Sequence, residues 1–150
     1  MTNPISTLME HYLQLTSKEG NEFEDATKYR QLVGSLIYLT TTRPNISFFV
    51  GILSRFMQKP CEGHWTTTKR VLKYLKGTQN FGLKYSKVKD FSLIGYSDLD
   101  FDGDKENGVS TSGYLMSIVS TNISWKSHKQ TIPIELTTQE KYVAASEATK

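Results

Sequence analysis

The sequence predicts an α+β chain, in which a small helical bundle is followed by an antiparallel meander of three to four strands and one helix. Apolar residues recur at helical spacing up to Gly77, and the pattern then changes to the alternation that is typical of strands. The last two strand-like segments are joined tightly through residues 120–122, which favours an antiparallel pair.

Three helices are expected before Gly77, where the spacing of the apolar residues changes from helical to strand-like. Asp25 is a typical N-cap for the first helix, and Pro44 ends that helix and suits the first turn of the second. The second helix closes before Pro60, and a third spans residues 62–76 and ends at Gly77. We expect these helices to pack as a small bundle.

The strand-like pattern follows directly. The expected strands cover residues 81–85, 91–99, 112–119 and 123–127, and Thr137 opens a last helix through the spacing of a capping box. The chain is therefore divided into a flexible lead-in at residues 1–22, a helical segment at 23–79 and a strand-rich domain at 80–150.

Composition excludes several classes of protein. No apolar run has the length of a membrane span, and the first residues do not have the pattern of a signal peptide, so we expect an intracellular protein, cytoplasmic or nuclear and not secreted. A single cysteine, Cys61, excludes an internal disulfide framework, and the three scattered histidines do not form a zinc motif. His64 and His128 are expected to be exposed.

Charge is distributed unevenly along the chain. Residues 61–89 carry seven basic side chains against one acid, whereas residues 90–106 carry six acids against one lysine. This arrangement suits a protein that contacts phosphates with one surface and holds a cation with the next. It equally suits two neighbouring surfaces that neutralise each other.

The acidic block contains a candidate metal site. Alternation along a strand places Asp98 and Asp100 on the same face, together with Asp102 if the strand extends that far, and carboxylate oxygens are the ligands that magnesium prefers. The alternative is an acidic turn that is simply exposed to solvent.

The basic block contains a candidate nucleic-acid surface. Lys69, Lys73 and Lys76 share one face of the third helix, with Arg70 beside them, and could contact a phosphate backbone. The alternative is a solvated face opposite an apolar stripe. Trp65 and Trp125 lie in apolar patterns, which favours a role as core anchors over one as base-stacking platforms.

Several motifs occur in an order that is specific when they are taken together. They are YRQLVGSLIYL at 29–39, TRPNIS at 42–47, LSRFM at 53–57, KRVLKYLKGT at 69–78, GYSDLD at 95–100, STSGY at 110–114 and ISWKSHKQ at 123–130. The first four resemble the end of the reverse transcriptase region in copia-type LTR retrotransposon Pol polyproteins. The last three resemble the start of the ribonuclease H domain of the same polyproteins.

The resemblance implies a partial ribonuclease H-like fold in the second half of the chain. The parent activity that it implies is RNA-directed DNA synthesis together with hydrolysis of RNA in RNA–DNA hybrids, by Mg²⁺ held on four carboxylates. Its implied partners are an RNA–DNA hybrid or a template–primer duplex, with no membrane and no small-molecule substrate. Asp98 matches the first catalytic carboxylate of the family, and Asp100 is a further candidate metal ligand.

One position departs from the family pattern. Lys141 occupies the place of the catalytic Glu, and an ammonium group has no lone pair for a metal and repels it. Glu140 lies about 100° around the expected helix and cannot take over. Lys141 could instead pair with Asp98, or be a solvated helix residue without a role.

The family's other two carboxylates are expected beyond the last residue of this chain. We therefore expect a fragment that is inactive by itself and binds no magnesium. The alternative is a non-catalytic nucleic-acid-binding module that uses the basic helix at residues 62–76.

Overall fold

The computed structural model describes part of the chain. The described residues are 3–8, 15–16, 20–87, 91–100, 110–119 and 121–129, without the side chains of Leu99 and Asp100. They fall into two units, Met1–Gly82 and Leu83–Lys150. The first contains helices and the second a three-stranded antiparallel sheet, so the α+β prediction holds for the described elements. The predicted helix at Thr137 lies outside the described residues.

Helix α1 spans Ala26–Leu39 and begins where the sequence predicts. The Asp25 side chain accepts a hydrogen bond from the Lys28 backbone N–H at 2.9 Å, which satisfies one of the N–H groups left open at a helix start. Tyr29, Val33 and Leu36 form its buried face at helical spacing.

Helix α2 is shorter than predicted. Pro44–Ile46 form a single 3-10 turn, and α2 covers only Ser47–Ser54. The Ser54 hydroxyl donates to the Gly51 carbonyl at 2.7 Å, and the next backbone N–H groups bond three residues back instead of four. A hydroxyl that bonds its own backbone competes with the helical pattern, and α2 ends at this residue.

Helix α3 spans Glu62–Gly77, close to the predicted bounds of 62–76. The N-cap is Cys61, and the C-cap is Thr78. No described helix has the length and apolar character that crossing a bilayer requires.

The core of the first unit is built from one face of each helix. Its fully buried apolar side chains are Tyr29, Val33, Leu36, Ile46, Val50, Leu53 and Val71. The Tyr29 hydroxyl donates to the Leu53 carbonyl at 2.8 Å, which joins α1 to the end of α2.

Arg43 links the end of α1 to the end of α3 by hydrogen bonds. It follows α1, is only 8% exposed, and donates from Nη1 to the Thr78 carbonyl at 3.0 Å and from Nη2 to the Thr78 hydroxyl at 2.7 Å. Its Nε donates to Asn45 Oδ1 at 3.3 Å, and the Asn45 amide donates to the Tyr74 hydroxyl at 2.8 Å. The last turn of α3 is therefore held against the start of the 3-10 turn.

The sheet has the strand order β1-β2-β3, with β1 at Leu93–Asp100, β2 at Thr111–Ile118 and β3 at Thr121–Lys129. Both pairs are antiparallel, and a register shift separates Met116 from Ser117. Val119, in the turn between β2 and β3, has a φ of 57°, an unfavourable value for a β-branched residue.

The predicted strand at 81–85 is wrong. Residues 81–87 have no regular secondary structure, although two of them contact the β3 start. The Lys84 carbonyl accepts from the Thr121 hydroxyl at 2.8 Å, and the Tyr85 hydroxyl donates to the Asn122 carbonyl at 3.3 Å. Both bonds use a side chain, so they do not form the backbone ladder that defines a strand.

Burial of the Tyr29 phenol makes the free energy of unfolding depend on pH. Burial raises the pKa of Tyr29 from 10.0 to about 12, against the smaller opposite effect of its hydrogen bond with Thr68. The folded chain thus holds the phenol proton more tightly than the unfolded chain. The contribution of this protonated phenol to the free energy of unfolding is complete below about pH 10 and is lost as the pH rises toward about 12.

We expect Tyr29→Phe to lower the free energy of unfolding by about 1 kcal/mol at pH 8, because the Leu53 carbonyl loses its donor. It should also reduce the loss of stability between pH 9 and pH 11.5, measured by urea unfolding. Tyr38→Phe, on the same helix but 80% exposed, is the control and should behave like the wild type. Equal alkaline losses in the wild type and Tyr29→Phe would contradict this explanation.

Candidate functional site

Helix α3 has one face in the core and another toward solvent. His64, Thr67, Thr68 and Val71 are its buried residues. Lys69 and Lys76 are exposed and Lys73 is half-buried, so packing directs these three side chains away from the core. We call Lys69, Lys73 and Lys76 the lysine stripe.

The lysine stripe concentrates positive charge on a short surface. Its three residues span roughly 10 Å along the helix axis at 1.5 Å per residue. The only acid in α3 is Glu62 in the first turn, about two turns before Lys69. Such a row of ammonium groups can contact successive phosphates of a nucleic acid without reading its sequence.

Arg70 points elsewhere. It lies about 100° around the helix from Lys69 and is half-buried. Its Nη2 donates to the Thr7 hydroxyl at 3.2 Å. The structure thus groups Arg70 with the N-terminal segment, whereas the sequence placed it beside the three lysines.

Trp65 is the second feature of this surface. Its half-buried ring stacks on Phe23, with ring centroids 4.8 Å apart and an interplanar angle of 21°. Lys28 Nζ lies 5.5 Å and Lys69 Nζ 5.6 Å from the Trp65 ring centroid. Sequence reasoning identified Lys69 but missed Lys28, because Lys28 is brought there from α1 by tertiary packing.

His64 is fully buried, so the prediction of an exposed histidine is wrong. Its Nδ1 accepts the Cys61 backbone N–H at 3.0 Å, so the ring proton lies on Nε2, which donates to the Thr16 carbonyl at 2.9 Å. The ring also stacks on Phe56, with centroids 3.9 Å apart. Both ring nitrogens have structural partners: Nδ1 belongs to a capping box at the start of α3, and Nε2 bonds the segment that precedes α1.

The candidate metal residues are only partly visible. Asp98 is an exposed residue of β1 and pairs with Gly113 of β2. The Asp100 side chain, Asp102 and Lys141 lie outside the described residues. Within the part of the chain that is described, no group of three or more His, Cys, Asp or Glu side chains could hold a metal ion.

Known proteins align with this chain over most of its length. The chain is 42% identical over 139 residues to the retrovirus-related Pol polyprotein from transposon RE2 of Arabidopsis thaliana, across 93% of the chain. It is 37% identical over 156 aligned positions to the corresponding polyprotein from transposon TNT 1-94 of Nicotiana tabacum, across 98% of the chain. The chain belongs to the retrovirus-related Pol polyproteins of copia-type transposons.

This Pol segment spans only 10% of the RE2 polyprotein and 12% of the TNT 1-94 polyprotein. It is also 44% identical over 123 residues to secreted RxLR effector protein 161 of Plasmopara viticola, covering 81% of the chain and 87% of that protein. No family model and no solved structure matches the chain.

Proposed function

We propose that the chain is the part of a copia-type Pol polyprotein that joins the end of the reverse transcriptase region to the start of the ribonuclease H domain. The parent activity would be RNA-directed DNA synthesis and magnesium-dependent hydrolysis of RNA in RNA–DNA hybrids. The alignment with Pol polyproteins over 93% of the chain carries this proposal. A helical unit followed by a three-stranded antiparallel meander with Asp98 on its first strand is compatible with such a junction.

We propose further that this segment does not cleave RNA by itself. The sequence does not fit the family's two-magnesium site, because the resemblance aligns Lys141 with the catalytic Glu of the family. An ammonium group about 4 Å from a cation is repelled by about 4 kcal/mol per unit charge at an effective dielectric constant of 20. No catalytic step is therefore assigned to this chain.

The function that the geometry supports best is contact with the backbone of an RNA–DNA hybrid or a template–primer duplex. The lysine stripe is the observation that favours it, since two of its ammonium groups are exposed on a helix that is anchored by its opposite face. The contact would be electrostatic and independent of base sequence.

An intracellular location, cytoplasmic or nuclear, follows from this proposal, because the nucleic acids of a transposon are found there. The relative named as a secreted effector provides the competing hypothesis. Fractionation of cells that express the tagged chain distinguishes the two locations.

The first test is a cleavage assay on an RNA–DNA hybrid with Mg²⁺, read on a denaturing gel. We expect no cleavage of the RNA strand above the buffer level, while an intact ribonuclease H cleaves the same hybrid. Cleavage by the wild type that is abolished in Asp98→Ala would contradict the proposed inactivity. Cleavage that persists in Asp98→Ala would identify a contaminating nuclease.

The second test measures binding of a labelled RNA–DNA hybrid by fluorescence anisotropy at several salt concentrations. We expect the logarithm of the association constant to fall with the logarithm of salt, and the three stripe lysines to contribute about −2.7 to the slope, about 0.9 for each phosphate contact. Charge reversal of Lys69, Lys73 and Lys76 to Glu should remove most of this slope and most of the binding.

The matched control reverses three lysines of the second unit, Lys84, Lys87 and Lys126, which are all exposed. It changes the net charge by the same amount as the stripe variant. Equal loss of binding in the two variants would show a general charge effect and would contradict a localised site.

A further inference from the structure

Two cations converge on Trp65 from different helices. Lys28 belongs to α1 and Lys69 to α3, and both Nζ atoms lie within 6 Å of the same ring centroid. Their separation therefore cannot exceed the sum of the two distances to that centroid. Each ammonium group gains some energy from the indole ring, but the two repel each other.

Among the described residues, no ion pair involves Lys28 or Lys69. Asp25, three residues before Lys28, accepts the Lys28 backbone N–H as the helix cap. The ion pair between Lys59 and Glu22 involves neither of these two lysines. An anion shared by the two ammonium groups would remove the repulsion and add two attractions.

The surroundings favour a particular anion. Trp65 is half-buried, so part of the indole is accessible beside the two ammonium groups, and Lys73 and Lys76 continue the positive charge along α3. A free phosphate ion could contact the ammonium groups but would leave the accessible part of the indole uncovered. A nucleic acid strand offers a phosphate to the lysines and an apolar sugar or base surface to the ring.

We propose that Lys28, Trp65 and Lys69 form a phosphodiester-binding site for a nucleic acid strand. The phosphate lies between the two ammonium groups, and the accessible part of the indole packs against the adjacent sugar or base. The site extends the lysine stripe from α3 onto α1, so that one strand is held by two helices. This inference rests on the proposed nucleic-acid binding.

The test uses Trp65 as a reporter in the full chain. Trp65 and Trp125 are the two tryptophans, so Trp125→Phe leaves Trp65 as the single emitter. Saturation with an RNA–DNA hybrid should change its emission, with the midpoint found by anisotropy. Inorganic phosphate at the same phosphate concentration should leave the emission unchanged, and an equal response to it would overturn the assignment to a nucleic acid strand.

Lys28→Ala should weaken hybrid binding about fivefold at 0.1 M salt and reduce the salt slope by about one. Arg30→Ala is the matched control, because Arg30 is exposed on the same helix, about 200° around from Lys28. It removes the same charge and should change the slope by much less. Melting curves of both variants verify that the fold is retained.

The outcomes separate this inference from the proposed function. Binding that depends on Lys73 and Lys76, with equal effects of Lys28→Ala and Arg30→Ala or with silent Trp65 emission, would overturn the site at Trp65 and leave the proposed function intact. A complete absence of hybrid binding at low salt would overturn both.

Discussion

The buried guanidinium of Arg43 is the constraint on which the geometry of the helical unit depends. Burying a charged group costs several kcal/mol unless hydrogen bonds replace its water. Arg43 recovers this cost through Thr78, which offers both a carbonyl and a hydroxyl to the same side chain. Because Thr78 is the C-cap of α3, the arrangement fixes where α3 ends relative to α1 and the 3-10 turn.

The surface of the helical unit follows from this placement. With Val71 and Thr68 in the core, the rotation of α3 is set and the lysine stripe must lie on the opposite side. The same placement brings Trp65 toward Lys28 of α1, so that a tertiary contact converts a row of charges on one helix into a site shared by two. Packing energy thus determines the positions of charges that contribute little to stability themselves.

Local patterns predicted local structure well. Asp25 as an N-cap and the bounds of α3 required only capping and periodicity. The prediction of a strand at 81–85 was wrong because an alternating pattern does not by itself provide a neighbouring strand with which the backbone can pair. His64, predicted to be exposed, is buried because its ring completes the cap of α3 and reaches Thr16. The lysine stripe was visible from spacing, whereas Lys28 belongs to the site only through the packing of α1 on α3.

A double-mutant cycle tests most directly whether Arg43 and Thr78 form the constraint described above. The free energy of unfolding is measured for the wild type, Arg43→Ala, Thr78→Ala and the double variant. A charge-assisted bond at 2.7 Å predicts a coupling energy of about 1.5–3 kcal/mol, with the double variant less destabilised than the sum of the singles. Additivity within about 0.5 kcal/mol would contradict the account.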